Sequence, residues 1–141
     1  MPDQPALDSL LKESGLADKA DRIDDKMYRL QWGSAFVIVG VSGTAIVAIA
    51  PLFQHLPPGR ELEFYRKLLE HNAYMGGMAA FAIQPDGWIV LHAGRALKGL
   101  DAHEFAVLVS AVGRFADQFD DQLIAEFYAP RKPAAEATPA S

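Results

Sequence analysis

Residues 35–50 read AFVIVGVSGTAIVAIA, and the way this run folds decides the architecture. No Asp, Glu, Lys or Arg lies between Arg29 and Arg60, and residues 35–52 approach the length of a membrane span. Three features make the run two strands instead. Val41-Ser42-Gly43-Thr44 at its middle is a turn signal, and the flanking stretches are rich in Val and Ile. Ala, Gly, Ser and Thr dilute the apolarity. No basic cluster stands immediately beside either end to set an orientation. The expectation is a hairpin with strands at 35–41 and 44–50 and no membrane insertion. These strands barely alternate, with Ala45, Ala48 and Ala50 mixed among Val and Ile. Such strands are central in a sheet, or meet a second subunit on the side away from the core. Pro51, with no N–H to give, is expected to end the pairing.

Working outward, residues 27–32 alternate, with Tyr28, Leu30 and Trp32 on one face and Arg29 and Gln31 on the other. Gly33-Ser34 fits a two-residue hairpin turn. Residues 5–14 form a short helix from the spacing of Leu7, Leu10 and Leu11, stopped by Gly15. The charged stretch 17–26 reads as a solvated linker or helical extension. Downstream, Pro57-Pro58-Gly59 marks a loop. A helix follows at 60–71, with Leu62, Tyr65, Leu68 and Leu69 as its apolar stripe. Glu63 and Lys67 pair on its outer face, and Asn72 is its left-handed cap. Strands at 78–84 and 88–93 flank the turn Pro85-Asp86-Gly87, and 94–100 connects onward. Asp101 caps the last helix, with Glu104 three residues later. Phe105, Leu108, Val109, Val112, Ala116, Phe119, Leu123 and Phe127 then recur at spacings of three and four, opposite Arg114, Asp117, Gln118 and Asp121. The order α-β-β-β-α-β-β-α is that of an α+β domain, an antiparallel sheet covered by helices.

Composition narrows the function. At 141 residues and 50% hydrophobic, the chain suits one domain, expected at 1–128, followed by a flexible Pro/Ala-rich tail at 129–141. The absence of Cys excludes disulfides, Cys-ligated metals and thiol nucleophiles. A net charge of −5 is a poor match for phosphate backbones, so no nucleic acid is expected as a partner. Asp8, Lys12 and Glu13 interrupt any leader-like apolar segment, and a cytoplasmic protein is expected. No catalytic constellation emerges. His55, His71, His92 and His103 have no ligand spacing, and Gly76-Gly77 lacks the phosphate-loop Lys. Ser42 and Ser110 lack a nucleophile-elbow pattern. Asp117, Asp120 and Asp121 read as a solvated acidic face. The expectation is a non-enzymatic protein with no catalytic residue, cofactor or metal.

Three segments carry a family resemblance: the helix end Leu68-Leu69-Glu70-His71-Asn72, the hairpin AFAIQPDGWIVL at 80–91, and the long helix from Asp101. Together with the element order, they make the chain resemble the type III secretion chaperones of the Tir-chaperone (CesT-like) superfamily and the related YbjN-like domains, described as sensory transduction regulators. The resemblance covers roughly residues 7–127. It implies a non-enzymatic, cytoplasmic homodimer that binds a protein or peptide client, an extended segment lying in grooves between helix and sheet. The candidate groove residues are Leu7, Leu10 and Leu11 with Tyr28, Leu30 and Trp32. The candidate dimer contacts are Val107, Leu108, Ala111 and Phe115, or the neighbouring hairpin. The alternative is a regulatory domain in which Tyr28, Trp32 and Trp88 line a small-molecule pocket.

Overall fold

The central hairpin alternates once its strands are paired. β3 (Ala35–Ser42) buries Ala35, Val37 and Val39 and leaves Phe36 and Ile38 half-buried. β4 (Ala45–Phe53) buries Ile46, Ala48, Ala50 and Phe53. The weak alternation of the sequence thus hides two distinct faces, one turned to the helices and one turned away. The computed structural model describes residues 6–128. The expected tail at 129–141 lies outside the described residues.

Around this hairpin the chain runs α1 (Leu7–Glu13), a 3-10 turn (Ala17–Lys19), β1 (Ala20–Asp24), β2 (Met27–Trp32), β3 and β4. It continues through α2 (Glu61–Met75), β5 (Ala80–Ile83), β6 (Ile89–Ala96) and α3 (Ala102–Leu123), and ends in a π-helical turn (Ile124–Tyr128). The six strands form one antiparallel sheet in the order β1-β2-β3-β4-β6-β5. The α+β class is as expected, with one strand more. Among the described residues no helix is long and apolar enough to cross a membrane.

The extra strand corrects the reading of 17–26 as linker or helix. β1 pairs with β2 through Ala20↔Leu30 and Asp21↔Arg29, with a bulge between Arg22 and Asp24. It is an edge strand whose charged side chains all face water. The Asp24 carboxylate accepts the Lys26 N–H at 2.8 Å and closes the turn into β2. Charges and a bulge are the means by which edges avoid unwanted pairing, so polarity here accompanies a strand.

Pro51 also behaves differently from expectation. The β3 ladder stops at Ile38↔Ile49, whereas pairing with β6 continues through Pro51↔Val90 to Phe53↔Ile89 across a bulge. The β3 ladder thus ends two residues before the proline, while the β6 ladder runs past it through a bulge. On the far side, β6 extends into the segment read as a connection, with Arg95 and Ala96 still paired to Ile46 and Ala45.

Helix α3 packs across β3, β4 and β6. Its expected apolar positions are all buried, including Phe127 in the π turn. The Asp101 carboxylate accepts the Glu104 N–H at 2.8 Å, which satisfies one of the free donors at the helix start. Leu7, Leu10 and Leu11 of α1, and Phe64 and Leu68 of α2, join the same core. All three helices thus serve the inner face. The outer face carries Phe36, Ile38, Val47, Ile49 and His92, half-buried by their sheet neighbours, and no helix of the described chain lies over it.

Helix and sheet approach closely at Gly113. A β-carbon there would lie 2.4 Å from the Trp32 ring. A methyl at Gly113 gains up to about 1 kcal/mol of helix propensity. It also forces Trp32 off α3, and overpacking of that kind costs about 1–3 kcal/mol. Gly113→Ala is therefore expected to lower the urea midpoint followed by circular dichroism, and Gly113→Val to lower it further. An unchanged midpoint for both would contradict this packing.

Candidate functional site

The groove expected between α1 and β2 is largely closed. Leu7, Leu10, Leu11 and Leu30 are core residues, none exposing more than 6% of its surface. A seven-residue helix has one narrow apolar stripe, and α1 uses it against α3 and the sheet. Tyr28 and Trp32 remain half-buried at the surface. The Tyr28 hydroxyl donates to the Asp8 carboxylate, and that bond raises the tyrosine above its ordinary pKa. The Lys19 ammonium sits 4.1 Å from the centre of the Trp32 ring. A hollow of about 190 Å³ between Asp8, Leu11, Lys12, Ala17, Ala20 and Tyr28 is what remains open there.

The expected dimer contacts on α3 divide in the same way. Leu108 and Ala111 expose nothing. A second copy could touch them only if α3 left the sheet. Val107 and Phe115 are half-buried, and Phe115 stacks on Phe119 at 6.0 Å and meets Tyr74 edge-on at 6.4 Å. α3 lies between sheet, α1 and α2, so its buried arc is wider than one face of a helix. Among the described residues, Tyr28 and Trp88 line different hollows, and Trp32 lines neither. Trp88 instead borders a hollow of about 540 Å³ with Phe53, His55, Leu56 and Tyr128. Within it Tyr128 stacks on Phe53 at 4.4 Å and donates its hydroxyl hydrogen to the His55 carbonyl. Burial pushes the Tyr128 hydroxyl up to about 12.

The open apolar surface is on α2, and here the expected stripe is displaced. The helix buries Phe64, Leu68 and Met75, and His71 stacks on Phe119 at 4.1 Å. Burial, reinforced by Lys67, holds His71 below the ordinary histidine value. Leu62 is 82% exposed and Leu69 67%, with Tyr65 partly exposed beside them. Both arcs of α2 are apolar. The aromatic cluster of Phe53, Phe127 and Tyr128 around Phe64 selects the buried one. The expected Glu63–Lys67 pair is absent among the described ion pairs. Glu63 pairs with Arg60 at 3.3 Å and Lys67 with Glu126 at 3.9 Å.

Asn72 is not the helix cap. The helix continues to Met75 and ends on Gly76 at φ 62°, a left-handed conformation that glycine takes cheaply. Asn72 turns its carboxamide to β5 instead. Its Oδ1 accepts the Phe81 N–H at 2.7 Å, and its Nδ2 donates to the Phe81 carbonyl at 3.4 Å. One side chain thus serves both edge-facing groups of Phe81 on a strand with no neighbour beyond it. Between α2 and β5 lies a hollow of about 330 Å³ lined by Tyr65, Leu68, Leu69, Asn72, Phe81 and Ile83. Its walls are apolar, and Ile83, like Leu69, is exposed at its rim. This surface suits contact with another apolar chain. Among the described residues, no three His, Asp or Glu side chains are grouped to hold a metal.

Known proteins similar in sequence or fold comprise one family and several solved structures. The family model described as the Tir chaperone protein (CesT) family matches residues 6–118. Among solved structures, the chain is similar to a chain of the heterodimeric complex ExoU–SpcU from the type III secretion system of Pseudomonas aeruginosa. The two share 18% identity and a TM-score of 0.63, over 88% of this chain and 99% of that one. It is also similar to a chain of the ExsC–ExsE complex, at 17% identity and a TM-score of 0.59, over 84% and 90% of the two chains. YbjN from E. coli aligns at 17% identity and a TM-score of 0.61, over 86% and 93%. At these identities the likeness is one of fold. No curated protein matches the chain.

The Asn72 contact is directly testable. Asn72→Ala removes both bonds to Phe81, and the expected loss is about 1 kcal/mol of stability. Hydrogen exchange at the Phe81 amide is expected to accelerate, with the amides of α3 unaffected. Unchanged protection at Phe81 would contradict the assigned role.

Proposed function

The chain belongs to the Tir chaperone protein (CesT) family, and from that premise we propose that it is a non-catalytic, cytoplasmic chaperone that works as a homodimer and holds an extended segment of a protein client. A chaperone-like binding role follows from the family. The finer reading rests on one observation: the exposed stripe of Leu62, Tyr65 and Leu69 beside Ile83 on the neighbouring edge strand.

A stripe at i, i+3 and i+7 on a helix is a natural two-fold surface. When two copies of α2 meet antiparallel, Tyr65 of each faces Leu69 of the other, with Leu62 of each beside that contact. The same residue set then serves both sides of the contact, as a closed dimer requires. α2 replaces α3 as the proposed dimer element, because Leu108 and Ala111 are fully buried. For the client, extended segments bind sheet proteins by strand pairing and by placing alternate side chains in apolar hollows. The β1 edge and the hollow beneath Tyr28 and Leu11 support that mode here. ExoU–SpcU and ExsC–ExsE are complexes of two different proteins, which supports a protein client. A second reading is supported by the hollow at Trp88: a regulatory domain that takes an apolar small molecule there, visible as added mass in native mass spectrometry.

Sedimentation of the full chain tests the dimer. The wild type is expected at twice 15.4 kDa. Leu62→Glu with Leu69→Glu is expected at the monomer mass with an unchanged circular dichroism spectrum, since both side chains are exposed. A monomeric wild type, or a double variant that stays dimeric, would overturn the reading.

A further inference from the structure

The turn between β2 and β3 is fastened to α3 through three oxygen atoms whose hydrogens can be counted. The Ser34 N–H donates to Asp117 Oδ1 at 2.9 Å. Ser34 Oγ lies 2.9 Å from that same oxygen and 2.9 Å from Asp120 Oδ2. A hydroxyl has one hydrogen to donate. If both carboxylates are ionised, one of the two contacts sets oxygen against oxygen with no hydrogen between them. Asp120 has little water to turn to, since it is only 8% exposed. Its other oxygen accepts the Asp121 N–H at 2.6 Å.

The approach is built into the backbone. Gly33 takes φ 58°, and a β-carbon there would lie 2.4 Å from the Asp117 carboxylate. Among the described residues, Asp120 forms no ion pair with a cation. On its own helix, the charges acting on it are those of Asp117 and Asp121. From the turn it meets the neutral Ser34. From the 3-10 turn, Lys19 sits over the Trp32 ring, and from α2, His71 stacks on Phe119. Neither forms an ion pair with Asp120.

We propose that Asp120 carries the missing proton and donates it to Ser34 Oγ, which donates its own hydrogen to Asp117, making a proton-dependent latch between the β2–β3 turn and α3. The two carboxyl groups are shifted as this relay requires. Burial pushes Asp120 above the ordinary aspartate value, and the Ser34 N–H holds Asp117 below it. The signs follow from linkage. The Asp120 contribution is fully present below the ordinary aspartate range and is lost as the pH rises through its own raised value. The Asp117 contribution is present above the ordinary range and is lost as the pH falls through its own lowered value. The latch stands independently of what the protein binds.

Carboxyl-carbon NMR titration of the full chain tests this. The wild type is expected to show Asp120 titrating above the ordinary aspartate range and Asp117 below it. Ser34→Ala separates donor from acceptor. If Ser34 accepts from Asp120, removing it takes a partner from the protonated form, and the Asp120 midpoint falls. If Ser34 donates to an ionised Asp120, the midpoint rises. In a second measurement, Asp120→Asn keeps a permanent donor toward Ser34. Its melting temperature is expected to match the wild type in acid and to exceed it increasingly as the pH rises through the Asp120 midpoint. An Asp120 midpoint within or below the ordinary range overturns the proposal. So does a midpoint that rises or stays fixed in Ser34→Ala, or an Asp120→Asn difference that is flat with pH. Should Asp120→Asn fail to fold, the titrations of the wild type and Ser34→Ala decide alone.

Discussion

Helix α3 lies against the inner face of the sheet, and the contact of its Gly113 with Trp32 sets how near it comes. Ala116, Val112 and Leu108 of α3 share one close-packed core with the small inner residues Ala48 and Ala50. α1 then fits its three leucines against α3 and the sheet. α2 fits Phe64 into the aromatic cluster at the end of α3, with His71 stacked on Phe119. The β2–β3 turn that follows Trp32 is held down by Asp117 and Asp120 of the same helix.

This arrangement determines which apolar surface is free. α1 turns its leucines inward, and α3 does the same with Leu108, Val109, Val112 and Leu123, so neither can offer these to another chain without loosening the core. α2 is apolar on two arcs and needs only one for the core. The remainder, Leu62, Tyr65 and Leu69, lies exposed beside an edge strand. A large exposed apolar stripe next to a groove marks an interaction surface more often than chance exposure does. Family membership gives a chaperone-like binding role, and the free arc of α2 is the physical feature behind the proposed dimer.

Sequence revealed the elements whose chemistry is local. The Asp101 cap and the three-and-four spacing after it define α3 without reference to the rest of the chain. Pro85-Asp86-Gly87 is equally self-contained: the Asp86 carboxylate accepts the Trp88 N–H at 3.0 Å, and Gly87 takes φ 95°. These elements, with the end of α2, also carry the family resemblance. Features that depend on distant neighbours were not readable in the same way. β1 has no apolar period, because an edge strand with one solvated face and a bulge needs none. Pro51 lies where one ladder ends and another continues, which depends on the length of β3. The face of α2 is chosen by Phe53, Phe127 and Tyr128, remote in sequence from Phe64. Asp117 and Asp120 look like surface charge until Ser34 is brought against them. The candidate groove and dimer residues suffered from the same limit. Apolar spacing identifies a face, but not whether that face meets the core or a second chain.

In the proposed dimer the free arc of α2 meets a second copy of itself, and the absence of Cys in the chain makes that contact measurable with single labels. Spin labels at Leu69→Cys are predicted to give a short, well-defined distance between subunits by pulsed dipolar spectroscopy. Labels at Ser42→Cys, exposed at the end of β3, are predicted to give no such short distance. A short distance at Ser42 with none at Leu69, or no coupling between subunits at either site, would contradict the account.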